Sequence, residues 1–244
     1  MSDVSAGARP LRHYVLAVFG LGMALLFAGL ANWQWSRSAE KQALLDRVEA
    51  ARSAPARGLA EALDDPASRE LPVRVESTLE LRTQPRLLLD NQQRDGRVGL
   101  REYVLARVPG EDERWLLVDL GWLAMAADRS LPPASDLPPR IEARGLLTSV
   151  PGQGIRLAPN PAPTALPSLV NYLDVEELSS QLELKILPRL LRLDPDLPIG
   201  HARDLDVLPN TLPPAKHQGY ALQWAGLALA ALVITFLLFF RSRA

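Results

Sequence analysis

The sequence predicts a membrane protein in which two transmembrane α-helices flank a β-rich domain. Two stretches, Tyr14–Trp33 and Tyr220–Phe240, contain neither a charged residue nor a proline. The segment between them, residues 34–219, holds all but one of the 21 prolines. Such a proline density breaks long helices and favours short strands and turns. The 244 residues therefore divide into two apolar spans and one large extramembrane domain.

Both apolar stretches are long enough to cross a bilayer as helices. A bilayer core of about 30 Å needs roughly 20 apolar residues at about 1.5 Å per residue. A helix also pairs its own backbone polar groups, which lipid cannot do. Small residues that allow close backbone approach occur in both spans, namely Gly20, Gly22, Ala24, Ala28 and Gly29 in the first and Gly226, Ala228, Ala230 and Ala231 in the second. We therefore expect the two helices to pack together, although glycine is also simply common in membrane helices.

The charges that flank the spans predict their orientation. Two arginines precede the first span and two follow the second, so residues 1–13 and 241–244 are predicted to be cytoplasmic tails. Residues 34–219 then form a periplasmic domain, since long segments are translocated largely regardless of their own charge. The first span exceeds the apolar region of a signal peptide, roughly 7–15 residues, and no small-residue cleavage site follows it. These features are typical of a multi-pass protein of the bacterial inner membrane.

The first helix is predicted to continue outward from the membrane. Residues 37–52 contain no proline or glycine, and apolar residues recur at helical spacing from Leu44 to Val48. We expect this helix to reach about residue 53, because Pro55 then stops it.

Beyond that helix the hydrophobic period changes to that of β-strands. Alternating or β-favouring runs predict strands over residues 73–77, 87–89, 98–108, 115–122 and 141–148. Asp95-Gly96 lies between two of these runs and predicts a hairpin. Asp174 is predicted to cap a short helix that reaches about Leu184, with Glu177 as its capping partner. Short strands, one or two helices and proline-rich connections favour an antiparallel sheet or small barrel of the α+β class.

The sequence carries no motif of a known catalytic centre. It lacks the phosphate-binding loop of P-loop nucleotidases, the G-x-S-x-G serine elbow and the H-E-x-x-H zinc motif. The acidic pairs Asp64-Asp65 and Glu176-Glu177 are typical of solvated surface or helix-start charges. A net charge of −1 argues against general nucleic-acid binding, and the lack of cysteine excludes disulfides and thiolate metal sites. We therefore predict no enzymatic activity and no catalytic residues.

His217 is the histidine with the most informative surroundings. Pro213 and Pro214 suit the first positions of a helix, which places His217 in the opening turn of the second span. Tyr220 and Trp224 follow at +3 and +7 along one helical face. The positive end of the helix dipole disfavours imidazolium, and haem iron requires a neutral imidazole. The three rings are therefore candidates for one wall of a haem slot, or simply for the aromatic belt found at membrane interfaces.

The first helix offers a possible complement to these rings. Trp33, Arg37 and Lys41 recur at i, i+4 and i+8 beyond the first span, at the same predicted membrane face. The two cations are candidates for binding haem propionates or lipid phosphates, and geometry alone favours the lipid phosphates.

Three motifs, in order along the chain, resemble the surfeit-locus cytochrome oxidase assembly family. The first, W-Q-x-x-R-x-x-x-K, is carried by Trp33, Gln34, Arg37 and Lys41 after the first span. The second comprises Leu89-Asp90-Asn91-Gln92 with Gly96 and Gly99, followed by Leu117-Val118-Asp119-Leu120-Gly121-Trp122. The third, H-x-x-Y-A-L-x-W, begins at His217 and ends at Trp224, at the start of the last span. The architecture of two spans around one domain also agrees with the family.

The resemblance implies a role in building haem-copper oxidases. Bacterial relatives are thought to hold haem a and to deliver it to the catalytic subunit, and His217 matches the family's proposed haem ligand. The implied partners are the catalytic subunit of cytochrome c oxidase, haem a synthase and membrane lipid. The alternative is a scaffold that holds oxidase assembly intermediates in the membrane without binding haem.

Overall fold

The computed structural model describes residues 8–69, 71–110, 113–133, 135–151, 160, 167–208 and 211–241. Most of the predicted tail 1–13 and of the predicted tail 241–244 lies outside these residues. The chain forms two compact units, one comprising residues 1–44 and 211–244 and the other residues 45–210. The first unit contains the two apolar spans, and the second contains the predicted β-rich domain.

The described residues form four α-helices and seven strands. The helices are α1 (Ala8–Ser53), α2 (Leu59–Asp64), α3 (Val175–Leu182) and α4 (Pro214–Arg241), with a 3₁₀ turn at Pro66–Ser68. The strands are β1 (Arg57–Gly58), β2 (Val73–Arg94), β3 (Arg97–Arg107), β4 (Arg114–Ala124), β5 (Arg140–Ser149), β6 (Ser168–Val170) and β7 (Lys185–Leu193). Helices α1 and α4 are long and apolar enough to cross a membrane, and they flank the strands, which confirms the predicted fold class.

Helices α1 and α4 pack together in the first unit. A Cβ atom at Gly20 would overlap Thr235 Oγ1 on α4, so a larger residue here would require Thr235 or the helix to shift. Ala24 and Ala228 are buried, and the rings of Tyr14 and Phe239 meet edge to face with centroids 6.2 Å apart. The expected close packing is thus confirmed at these positions.

Other small residues of the two spans do not take part in this packing. A Cβ added at Gly22, Gly29 or Gly226 would meet no atom within 4 Å, and Ala28 and Ala230 are exposed. The composition predicted helix packing correctly but did not identify which small residues face the partner helix. That choice follows from the helical period of 3.6 residues, which turns only every third or fourth residue toward the neighbour.

The strands of the second unit close into a small barrel. Strand β2 pairs with both β3 and β5, β3 pairs with β4, β4 with β7, and β7 with β5, so the ring returns to β2. All of these pairs are antiparallel except β4–β7, and the short strands β1 and β6 add to β2 in parallel. The barrel is therefore mixed rather than purely antiparallel.

Strand β2 replaces two predicted strands with one. The sequence predicted separate strands at residues 73–77 and 87–89, but β2 runs unbroken from Val73 to Arg94. Its first part pairs with β5 and its second part with β3, with a register shift between Arg82 and Leu87 on the β3 side. Pro85 lies inside that shift, where β2 and β3 are not in regular register. Its missing N–H therefore does not interrupt the regular ladder of backbone hydrogen bonds.

Two local predictions are confirmed by the backbone. Asp95 and Gly96 join β2 to β3 with φ of 50° and 73°, the two positive values that a type I′ hairpin requires. Asp174 Oδ1 accepts hydrogen bonds from the amides of Glu176 and Glu177 at 3.0 and 3.1 Å, so it caps α3. Helix α3 ends at Leu182, two residues before the predicted end, because Glu183 adopts a left-handed conformation.

Apolar side chains are buried on both faces of the barrel wall. On β3, Val104 and Ala106 belong to one hydrophobic cluster, whereas Tyr103 and Leu105 belong to a second. The second cluster includes Leu178 of α3 together with residues of β6. Near-continuous burial along β3 and β4 explains why these strands read as apolar runs in the sequence rather than as clean alternation.

The Gly121-Trp122 motif lies at a β-bulge in β4. Glu102 pairs with Gly121 but the next residue of β3 pairs with Asp119, so Leu120 has no partner on β3. The Trp122 indole Nε1 donates to the carbonyl of Gln92 at 2.8 Å, and a Cβ at Gly99 would touch the indole ring. The segments of the second motif thus meet in one packed cluster.

Introduction of Gly20→Leu is expected to separate the paired helices, because its side chain would occupy the space of Thr235. The chain has no cysteine, so Tyr14→Cys with Phe239→Cys provides a unique pair for a short bismaleimide cross-linker. Cross-linking should fall severalfold in the Gly20→Leu background and stay unchanged in Gly22→Leu. Equal yields in both backgrounds would contradict the packing described for Gly20.

Replacement of Gly121 by alanine is expected to destabilise the barrel. Gly121 has φ of 110°, and its Cβ would lie 2.6 Å from Arg203 Cγ and 2.8 Å from the Ala202 carbonyl oxygen. Overpacking of this kind costs about 1–3 kcal/mol beyond the backbone strain. Gly96→Ala is the control, because Gly96 also has positive φ but no atom within 4 Å of the added Cβ. Thermal unfolding of the two full-length variants in detergent checks this difference, and equal midpoints would rule out the steric explanation.

Candidate functional site

His217 lies in the first turn of α4 and is buried. The helix begins at Pro214, as predicted, whereas Pro213 lies just before the helix rather than in its first turn. The exposed fraction of His217 is 8%, whereas its sequence neighbours Gln218 and Lys216 are exposed. The imidazole therefore faces α1 rather than the surroundings of the helix pair.

Among the described residues, the imidazole makes one hydrogen bond, to a side chain of α1. His217 Nδ1 lies 2.6 Å from Gln34 Oε1. Since a carbonyl oxygen can only accept, Nδ1–H donates in this contact, and in the neutral ring Nε2 is then the unprotonated nitrogen. Nε2 is buried and has no hydrogen-bond partner among the described residues. A nitrogen lone pair without a hydrogen-bond partner has the donor chemistry that haem iron requires, although its burial here closes it to a ligand until neighbouring side chains shift.

Three polar side chains of α1 line up toward the start of α4. Gln34, Ser38 and Lys41 occupy positions i, i+4 and i+7, which share one face of a helix. Ser38 Oγ donates to the Pro214 carbonyl oxygen at 3.0 Å, and Lys41 Nζ donates to the carbonyl oxygen of Leu212. We call Gln34, Ser38 and Lys41 the polar stripe of α1.

The sequence analysis did not identify Gln34 or Ser38 as site residues. Gln34 belongs to the motif W-Q-x-x-R-x-x-x-K, in which Ser38 occupies an unspecified position. A usable signal was present, because polar residues at i, i+4 and i+7 directly after an apolar span indicate a helix face with a polar partner. The predicted set consists of Trp33, Arg37 and Lys41. On a helix of 3.6 residues per turn, each step of four residues rotates the side chain by about 40° around the helix axis, so these three residues do not all face α4.

The predicted site residues therefore separate into two groups. Lys41 and His217 lie on the facing sides of the two helices, and Trp224 stacks on Phe27 of α1 with ring centroids 5.5 Å apart. Trp33, Arg37 and Tyr220, by contrast, are exposed. The exposed fractions of Trp33 and Tyr220 are 54% and 42%, and Arg37 forms a surface ion pair with Glu40 at 2.6 Å.

A second polar cluster lies in the barrel unit around Glu102 of β3. Its carboxylate is fully buried and accepts from Arg86 Nε at 2.5 Å and from Ser135 Oγ at 2.9 Å, and His201 Nε2 lies 2.6 Å away. Burial alone would raise the pKa of the Glu102 carboxyl, but its hydrogen bonds to His201, Arg86 and Ser135 lower that pKa to about 2. Glu102 is thus a carboxylate at neutral pH, and its oxygens contact the side chains of Arg86, Ser135 and His201, which come from three different parts of the chain.

The bulge in β4 positions His201 in this cluster. The amide of His201 donates to the carbonyl oxygen of Leu120 at 2.7 Å, and Trp122 N donates to the Ala202 carbonyl oxygen at 2.8 Å. No local pattern in the sequence indicates this contact, because Glu102 is 99 residues away from His201 in the chain.

The geometry of this cluster is not that of a nucleophilic triad. In such a triad the hydroxyl and the carboxylate contact opposite nitrogens of the imidazole. Here Ser135 Oγ and Glu102 Oε2 both lie next to Nε2, at 3.3 and 2.6 Å. Ser135 donates to Glu102 rather than transferring its proton to His201, so the cluster acts as a structural link between loops and barrel.

A comparison with known protein families gives a match that covers most of the chain. The model of the SURF1 family matches residues 21–229, which include the polar stripe, the whole barrel unit and His217. No curated protein matches the chain.

Substitution of Glu102 by glutamine is expected to destabilise the barrel by about 3–5 kcal/mol at pH 7, since it leaves the buried Arg86 without a counter-charge. The folded pKa lies below the ordinary value of 4.5, so the stabilisation is complete above about pH 4.5. It disappears as the pH falls from about 4.5 to about 2.

Thermal unfolding of full-length protein in detergent between pH 3 and 7 checks this expectation. The difference between wild type and Glu102→Gln should shrink as the pH falls. The exposed Glu142 provides the control variant Glu142→Gln, which should follow the wild type throughout. A difference that does not change with pH would contradict the ionised, hydrogen-bonded state of Glu102.

Proposed function

The chain belongs to the SURF1 family of oxidase assembly proteins, and we propose that it binds haem a and assists its insertion into the catalytic subunit of cytochrome c oxidase. A role in cytochrome oxidase assembly follows from the family itself. Haem a is the cargo in this proposal and not a resident cofactor. The protein would act by binding and release, without catalysing a reaction of its own.

The observation that carries the proposal is the state of His217. Its Nδ1 lies next to Gln34 Oε1, and its buried Nε2 has no partner among the described residues, so the neutral ring would carry its lone pair on Nε2. This is the donor that an axial haem ligand must supply. Because Nε2 is buried, iron can reach it only after neighbouring side chains shift.

The residues around His217 suit a flat, apolar ligand with two acidic groups. Trp33 and Tyr220 present exposed aromatic rings, and Trp224 lies within the helix pair, about two turns beyond His217. Arg37 forms a surface ion pair with Glu40, which is weak and can exchange. We propose that the rings contact the porphyrin and that Arg37 and Lys41 bind the propionates.

The proposed orientation places this site at the periplasmic edge of the bacterial inner membrane. Arginines near both ends of the sequence favour cytoplasmic termini, so the barrel unit would lie in the periplasm. An apolar tail on haem a could then enter lipid while its propionates stay near water. In this position the protein could receive haem a from haem a synthase and pass it to the oxidase subunit.

The absorption spectrum of protein purified from cells that make haem a tests the proposal. We expect a haem a spectrum in the wild type and its loss in His217→Ala. His13→Ala is the matched control, because His13 lies near the opposite end of the helix pair and should retain the haem.

An unchanged haem content in His217→Ala would reject His217 as the ligand. A wild type without any haem that still purifies with oxidase subunits would instead support the alternative, a membrane scaffold that holds assembly intermediates. Expression level and cross-linking of the helix pair show whether each variant is still folded.

A further inference from the structure

We propose that Gln34 is a positioning residue that sets the tautomer and ring orientation of His217. This inference rests on the proposed function, because it concerns how the same histidine is prepared for iron. Gln34 Oε1 and His217 Nδ1 lie 2.6 Å apart although the residues are 183 positions apart in the sequence. The two groups belong to different helices, so neither helix alone can hold the ring in this state.

The acceptor character of Gln34 determines which nitrogen faces the ligand. A hydrogen bond from Nδ1–H to a carbonyl oxygen leaves the lone pair on Nε2 and fixes the plane of the ring. Without an acceptor at Nδ1, an imidazole side chain favours the tautomer with the hydrogen on Nε2. That tautomer cannot bind a metal through Nε2. Loss of Gln34 would therefore remove the ligating lone pair from Nε2 although His217 is still present.

The rest of the polar stripe keeps Gln34 within reach of His217. Ser38 is 2% exposed, and its hydroxyl holds the Pro214 carbonyl at 3.0 Å, one turn before His217. Lys41 donates to the Leu212 carbonyl oxygen, just before α4 begins. Two side-chain contacts to the backbone thus fix the first turn of α4 at the level of Gln34, which explains why a single amide can orient the imidazole.

The tautomer can be measured in the protein without haem. The chain contains only three histidines, so ¹⁵N-histidine labelling of full-length protein in detergent should give resolvable ring signals. In the wild type we expect Nδ1 of His217 at a protonated shift and Nε2 at an unprotonated one. Gln34→Leu should exchange these shifts, and Gln34→Glu should preserve them. A wild-type His217 with an unprotonated Nδ1 would overturn the proposal whether or not haem binds.

A second readout uses the haem-loaded protein. A glutamate at position 34 is a stronger acceptor than the amide and gives the imidazole more anionic character, so the haem reduction potential should fall below that of the wild type. Gln34→Leu should raise the potential and weaken haem binding by about 10–100-fold, the range usual for an outer-shell partner of a metal ligand. Gln218→Leu is the control, because Gln218 is exposed and adjacent to His217 in sequence.

The outcomes separate this inference from the proposed function. Equal potentials and equal iron–histidine stretching frequencies in Gln34→Leu, Gln34→Glu and wild type would reject a positioning role for Gln34, although haem binding by His217 would stand. Absence of haem from every variant would reject the proposed function, and the tautomer measurement would still decide the role of Gln34 in the unloaded protein.

Discussion

Close packing of α1 against α4 is the constraint on which the candidate site depends. The helices approach because Gly20 offers no side chain opposite Thr235 and because Ala24 and Ala228 are buried where larger residues would separate them. This approach brings the polar stripe of α1 to the first turn of α4. In lipid, where apolar surfaces gain nothing by meeting one another, such packing depends on van der Waals contact and on polar pairs. Gln34–His217 is one of those pairs and is also the chemically distinctive one.

The barrel unit is held together by a different kind of constraint. Its strand ladder closes because β2 is long enough to serve two neighbours, and closure removes the free edges that an open sheet would expose. Buried polar groups then join loops to the wall. Glu102 binds Arg86, Ser135 and His201, and the bulge at Leu120 receives the loop that carries His201. A fully buried carboxylate is tolerated because every contact it makes favours its charged form.

The two histidines that the structure places in polar surroundings differ in what they offer. His201 Nε2 contacts the buried carboxylate of Glu102, so that nitrogen is occupied by a structural contact of the barrel. His217 directs Nδ1 to a neutral amide and leaves Nε2 unpaired among the described residues. Sequence context pointed to His217 through its place at a helix start, and the contacts explain why it is the better candidate for a ligand. Unlike a carboxylate, a neutral amide adds no negative charge that would favour imidazolium, and an axial ligand must be a neutral imidazole.

Local features of this protein could be predicted from sequence, and long-range ones could not. Local hydrophobicity determines the two spans, and contacts within a few residues determine the Asp95-Gly96 hairpin and the Asp174 cap. These features could therefore be predicted from the sequence. The resemblance at His217 likewise required only a short motif. Tertiary structure alone decided that residues 73–94 form one strand, that β4 pairs in parallel with β7, and which small residues face the partner helix. It also decided that Gln34 rather than Trp33 or Arg37 meets His217. The hydrogen bond between Gln34 and His217 joins residues 183 positions apart in the sequence. It depends on how the two packed helices are rotated about their axes, and no local sequence pattern determines that rotation.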